Sequence, residues 1–391
     1  MPWPFGRKPA VAVAPESEDT AKSPTARFAF KLFRELSRGE AASNLFFSPS
    51  GVMLCLALVY ELASGETRHE MAETLEIASL DPVGLESEIA GLKSAFGARA
   101  RAEVSFASSL WLGRQAQIAS ALQARLRALY DSELSSLDFA AGDAVSIINA
   151  WVNARTQGRI SRIVSQLSPL AALVAINAVY FKGRWEKPFQ KELTRGAAFH
   201  TLSGSIPHVP MMSQGGRYLY YEDRHLQTVT LPYEGGVSMI VVLPAAKSDL
   251  EQFRQNLTAS QLESWTHKSK FQQGVVKLPR FKVDYEAELG NALTALGMNR
   301  AFDGNRAQFE HVHSDQPPVS LGRVLHRAVG DVNEEGTEAA AVTLAQMVFG
   351  SAMNAKPPEL FQMIVDRPFL MAIRDDKTQS LLFLGWISDP R

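Results

Sequence analysis

This sequence predicts an α+β fold with helices and strands segregated along the chain, and three observations carry that expectation. Helical periodicity dominates roughly the first 160 residues. Runs rich in β-branched and aromatic residues dominate the remainder. No internal repeat and no Pro- or Gly-rich linker interrupts residues 25–391, so one domain is expected there, without the alternating strands and helices of a βαβ array.

Residues 1–24 are rich in Pro, Ala and Ser and lack periodicity, which reads as a mobile tail. Structure is expected from Thr25, where Phe28, Leu32, Phe33 and Leu36 recur at helical spacing before Gly39. A second helix should follow Ser48-Pro49. A third opens on Thr67-Arg-His-Glu70, a pattern that suits a capping box. Further helices are expected over 85–96, 119–130 and 143–156. The run Leu173 to Phe181 suits a strand buried on both faces. Thr228–Tyr233 and Val237–Leu243 flank Glu234-Gly-Gly236, a hairpin signal. A strand over 275–283, a helix over 286–296, and strands over 323–332, 362–373 and 380–387 complete the pattern.

Forty basic residues against 41 acidic ones leave a formal charge of -1, which argues against nucleic-acid or membrane-surface binding driven by bulk charge. Cys55 is the single cysteine, so no internal disulfide forms, and its apolar surroundings suit a core thiol. The N-terminus offers no apolar stretch of signal-peptide length, and no segment reaches the ~20 apolar residues of a membrane span. The compartment stays open on these grounds.

No enzyme chemistry stands out. There is no Gly-x-Ser-x-Gly elbow, phosphate-binding loop or His-Glu-x-x-His motif, and no cofactor is implied. His311 and His313 with Asp315 form a weak metal pattern that reads as solvated loop. His326 interrupts an apolar strand and reads as a core hydrogen-bonding residue rather than a catalyst.

The segment Glu334–Ser351 is the unusual one. At period two, Thr337, Ala339, Ala341, Thr343, Ala345, Met347 and Phe349 form a face without charge, and Glu338 is the one charge on the other. Such a strand can enter a sheet without burying an ion on that face. The Ala run also suits a helix, and Gly336 frees the backbone where the segment starts.

The surrounding motifs resemble the serpin family over essentially all of 25–391. They are Asn44-Leu-Phe-Phe-Ser-Pro49, Asn177 through Trp185, Leu231-Pro-Tyr-Glu-Gly235, Leu278-Pro-Arg-Phe281, His326 through Ala341, and Asp366-Arg-Pro-Phe-Leu370 with Leu384-Gly385. The resemblance implies three β-sheets, eight or nine helices and an exposed reactive-centre loop near 334–358. It also implies a suicide-substrate inhibitor of serine proteases, not an enzyme, whose cleaved loop inserts into the large sheet. The non-inhibitory alternative is a chaperone or carrier. By the same resemblance Gly336, Thr337, Glu338, Ala339, Ala340 and Ala341 form the hinge. Glu334 and Arg280 pair beside Trp185 where the loop enters, and Ser48, Asn177 and His326 form a cluster beneath the strands that part. Gly51 stands where many relatives carry a second serine, and Val342 is larger than usual. A monomer is expected, with loop–sheet polymerisation as a hazard.

Counting from the hinge puts the reactive bond at Gly350–Ser351, with Phe349–Gly350 and Met353–Asn354 as alternatives. No Arg or Lys lies between Glu335 and Lys356, so an elastase-, chymotrypsin- or subtilisin-like target suits the loop better than a trypsin-like one.

Overall fold

The computed structural model describes residues 19–38, 42–97, 102–314, 319–335 and 360–391. Helix α1 (Pro24–Leu36) starts where Ser23 accepts a hydrogen bond from the Ala26 N–H, and it buries Phe28, Leu32 and Phe33. The residues just before it do not behave as a tail. Asp19 accepts from the backbone N–H groups of Ala259 and Ser260, and Ala21 is buried. A carboxylate is favoured there because a helix N-terminus carries unpaired N–H donors and positive potential.

Strand β1 (Leu45–Phe47) leads into α2 (Pro49–Tyr60), which is buried on every side and capped by Ser48. An all-round apolar helix belongs inside a core. Helix α3 (Gly65–Thr74) starts after Ser64, so the expected capping box at Thr67 does not form. Both of its members serve distant segments instead. Thr67 Oγ1 accepts from the Gln308 N–H, and Glu70 accepts from the N–H groups of Asn299 and Arg300. Helix α4 (Pro82–Phe96), strands β2 (Ala102–Gly113) and β3 (Ala116–Gln117), α5 (Ser120–Tyr130), β4 (Glu133–Leu137) and α6 (Ala144–Arg155) follow.

The second half supplies β5 (Leu173–Gly183), β6 (Arg195–Thr201), β7 (Gly204–Glu222), β8 (Leu226–Tyr233) and β9 (Val237–Pro244). Gly235 and Gly236 take φ of 84° and 74° in the hairpin between the last two, as the Gly-Gly signal requires. After α7 (Leu250–Gln255) and α8 (Ala259–Lys268) come β10 (Lys270–Pro279), β11 (Phe281–Glu288), α9 (Gly290–Ala295), β12 (His313–Ser314), β13 (Leu321–Val332), β14 (Phe361–Ile364), β15 (Phe369–Asp375) and β16 (Leu381–Ile387). The expected strand over 275–283 is thus two strands that meet at Arg280 and belong to different sheets.

Among the described residues there are nine α-helices and three sheets, in agreement with the expected architecture. The nine-stranded sheet runs β1-β16-β15-β9-β8-β7-β10-β14, with β6 paired to β7; β3 and β12 form a small third sheet. The five-stranded sheet runs β11-β13-β5-β2-β4. Its central strand is covered on both faces. Val174, Ile176, Ala178 and Tyr180 pack with Ile148 and Val152 of α6, while Leu173 and Ala175 join the core around α2. This alternation explains the unbroken apolar run of β5. Helix α2 lies between the two large sheets, in contact with β2, β5 and β16.

Candidate functional site

The site forms along the seam between β5 and β13. These strands are direct neighbours and run parallel from Leu321↔Leu173 to Gly330↔Phe181, with one extra residue in β13 between Leu321 and Arg323. On the far side β13 pairs with β11 antiparallel, from Phe281↔Val332 to Glu288↔Leu325. The chain therefore leaves β13 beside the corner where β10 gives way to β11, and Arg280 is the single residue at that corner.

Three sequence-identified residues meet there. Glu334, only 4% exposed, accepts a hydrogen bond from Thr194 Oγ1 (2.8 Å) and lies 3.6 Å from the Arg280 guanidinium. Trp185 donates its indole N–H to the Asn333 carbonyl (2.8 Å). The indole is held by Tyr233, whose ring stacks on it at 3.9 Å between centroids, and by Phe189 edge-on at 5.6 Å. Gly183 permits this packing, since an added Cβ would sit 2.4 Å from Tyr233 Cδ1. Spacing along the chain does not mark Thr194, Asn333 or Tyr233, although Tyr233 lies within the Leu231–Gly235 motif and Asn333 within His326–Ala341.

Lower in the seam, Asn177 and His326 are register partners across the two strands. His326 Nε2 accepts from the Ser48 backbone N–H (3.1 Å), which has no acceptor capacity, so Nε2 is the unprotonated nitrogen. Nδ1 then carries the hydrogen and donates to Asn177 Oδ1 (2.9 Å). Ser48 Oγ accepts from the Gly51 N–H and donates to the Leu382 carbonyl of β16 (2.6 Å). The three expected residues therefore form one connected network that ties the seam to the α2 N-terminus and the opposite sheet. Burial pushes the His326 imidazole down to about 3. Gly51 is part of the fit: a Cβ there would lie 2.6 Å from Asn177 Oδ1. The missing side chain is filled by the Asn177 amide rather than left as a gap.

The hinge residues Gly336, Thr337, Glu338, Ala339, Ala340 and Ala341 and the reactive-bond candidates Phe349, Gly350, Ser351 and Met353 lie outside the described residues, as does Asp315 of the weak metal pattern. Among the described residues no three His, Cys, Asp or Glu side chains converge to hold a metal, and no helix is long and apolar enough to cross a membrane.

The family model for serpins, described as serine protease inhibitor, matches residues 23–390. The chain belongs to the serpin family. This serpin is 34% identical to an uncharacterized serpin-like protein of Thermococcus kodakarensis, over 93% of its own length and 84% of that protein's. It is 33% identical to the leukocyte elastase inhibitor of Bos taurus, over 93% of this chain and 98% of the relative. Uncleaved ovalbumin has a similar solved structure, with a TM-score of 0.85, 28% identity, and 94% and 99% of the two chains covered.

Proposed function

We propose that this serpin is a suicide-substrate inhibitor of serine proteases. In this reading a protease attacks the segment after Glu335 as a substrate. The cut segment then inserts between β5 and β13 before the acyl-enzyme is hydrolysed, so the protease supplies all the bond chemistry. The observation that carries the proposal is the seam. A chain that leaves β13 and turns back runs antiparallel to both β13 and β5. One parallel ladder is then replaced by two antiparallel ones, which are slightly better per residue. For a dozen or so residues at about 1 kcal/mol net per bond, the gain is on the order of 10 kcal/mol. The uninserted form is then held kinetically.

The residue roles belong to the same proposal. Gly336 to Ala341 form the hinge, and small side chains at Ala339, Ala340 and Ala341 suit burial in a sheet. Arg280, Glu334 and Trp185 set the path of the chain where it would enter, and Ser48, Asn177 and His326 hold the seam closed. The reactive bond is Gly350–Ser351, with Phe349 or Met353 as the alternative primary residue. An elastase-like target is favoured, since no Arg or Lys lies between Glu335 and Lys356 and a relative is named for inhibiting leukocyte elastase.

The test is incubation with elastase-, chymotrypsin-, subtilisin- and trypsin-like proteases followed by denaturing gels. A complex that survives SDS is expected with at least one of the first three. Cleavage of the loop with the protease left fully active would instead favour a chaperone or carrier. Mass spectrometry of the released peptide identifies the bond, and Ala341→Pro should turn inhibitor into substrate, because a central strand does not accept proline.

A further inference from the structure

Among the described residues, the ion pairs on the two sides of β13 are unequal. Toward β11, Arg327 pairs with Asp284 (2.8 Å) and Glu286 (3.6 Å), and Arg323 pairs with Glu288 (2.8 Å). Arg280–Glu334 lies at that same side, beside the start of β11. Toward β5, across the seam, the ion pair is Lys182–Glu335 at 2.9 Å. Lys182 stands one residue beyond the last registered pair, Phe181↔Gly330, and so faces the end of β13 at Asp331. Glu335 is presented to it by a defined turn. The Glu335 N–H donates to Asn333 Oδ1 (2.8 Å), Asn333 Nδ2 donates to Asp331 Oδ1 (2.9 Å), and the Asn333 carbonyl is held by Trp185. The field of Asp331 adds to that of Glu335 at Lys182, while Lys191 and Arg184 add to that of Lys182 at Glu335.

From this arrangement we infer that Lys182 is a positioning residue that latches the mouth of the seam, tying β5 to the chain leaving β13. The inference rests on the inhibitory reading above. Insertion of a strand moves β5 and β13 apart by about 5 Å, the spacing of one strand, so the latch must open as the seam opens. Lys182 is 30% and Glu335 54% exposed, so the latch is a screened surface pair. Its loss should speed opening on the order of two- to five-fold, and the effect should shrink at high salt.

The test uses the full chain and follows spontaneous conversion to a form of raised thermal stability, at about 0.02 M and about 0.5 M ionic strength. K182Q and E335Q should convert about two- to five-fold faster than the parent at low salt and by a clearly smaller factor at high salt. The double variant K182Q/E335Q should convert no faster than either single variant at low salt, because each single change already breaks the same pair. A merely structural role for Lys182 would give the same acceleration at both salts and additive effects in the double variant, and that result overturns the latch. If the parent itself never yields a more stable form, spontaneously or after loop cleavage, the inhibitory reading falls and the latch with it. If the parent converts and the variants match it at both salts, the latch alone falls.

Discussion

Acid should loosen the seam through one imidazole. His326 is fully buried with both nitrogens engaged, and burial pushes its pKa down from 6.5 to about 3. Once β5 and β13 part and water reaches the ring, its ordinary value of about 6.5 returns. Between those values the open state binds more protons than the closed one. The stabilisation of the closed seam is therefore complete above about pH 6.5 and is lost as pH falls toward about 3. At about pH 5 the difference is RT ln(1 + 10^1.5), about 2 kcal/mol, or up to about 30-fold in the opening equilibrium. The assay is the rate of conversion or heat-induced polymerisation from about pH 7.5 to about pH 5, for the parent and for His326→Gln. Glutamine can still accept from the Ser48 N–H but does not titrate. Protonation of carboxylates elsewhere affects both proteins, so the ratio of the two rates isolates the imidazole. The parent's rate should climb relative to the variant's as pH falls. Parallel profiles would refute the assignment of the acid response to His326.

Other perturbations probe the same region. Glu334→Ala leaves the Thr194 hydroxyl unpaired and frees Arg280, and should cost about 1–3 kcal/mol in denaturant unfolding, with faster oligomerisation on gel filtration. Gly51→Ser drives a Cβ into the space of Asn177 Oδ1, 2.6 Å away. It should lower stability by about 1–3 kcal/mol, and an unchanged melting temperature would mean that the amide has room to turn. Cys55 is buried and its thiol is pushed up to about 12 by burial, so a thiol reagent at about pH 8 should label the native chain only as fast as it opens. Rapid labelling of the native protein would contradict that.

Several features were legible because local pattern and tertiary role coincide. The apolar run of β5 signals two covered faces, Gly235-Gly236 signals a tight turn, and a lone His in an apolar strand signals a satisfied core donor and acceptor. Other features were hidden because long-range partners decide them. Strand β2 carries Ser105, Ser108 and Ser109, small residues in a strand that touches α2, and such a stretch does not read locally as a long strand. Arg280 separates strands of two sheets inside one strand-like run, and the only local sign is a slip of phase in the buried positions, from Val276 and Leu278 to Phe281 and Val283. Thr67 and Glu70 have capping-box spacing, yet distant backbone donors take both side chains. At the site, the motifs contain Lys182 and Tyr233, but their roles depend on the turn after β13 and the stacking beside Gly183. Neither is encoded in spacing along the chain.

Strand β14 is short, and its pairing with β10 spans only Gly274↔Phe361 to Lys277↔Ile364. The chain that leaves β13 is thus moored to the five-stranded sheet at one end and to the nine-stranded sheet at the other. On the proposed mechanism an intact segment cannot insert fully without tearing that second mooring away, whereas a cut one can. The covalent bond then acts as a fuse, and each molecule fires once. Protection by such a protein is a titration: it is complete while copies outnumber the protease and ends abruptly when they do not, so its reach is set by the number of molecules made rather than by how fast any one of them works.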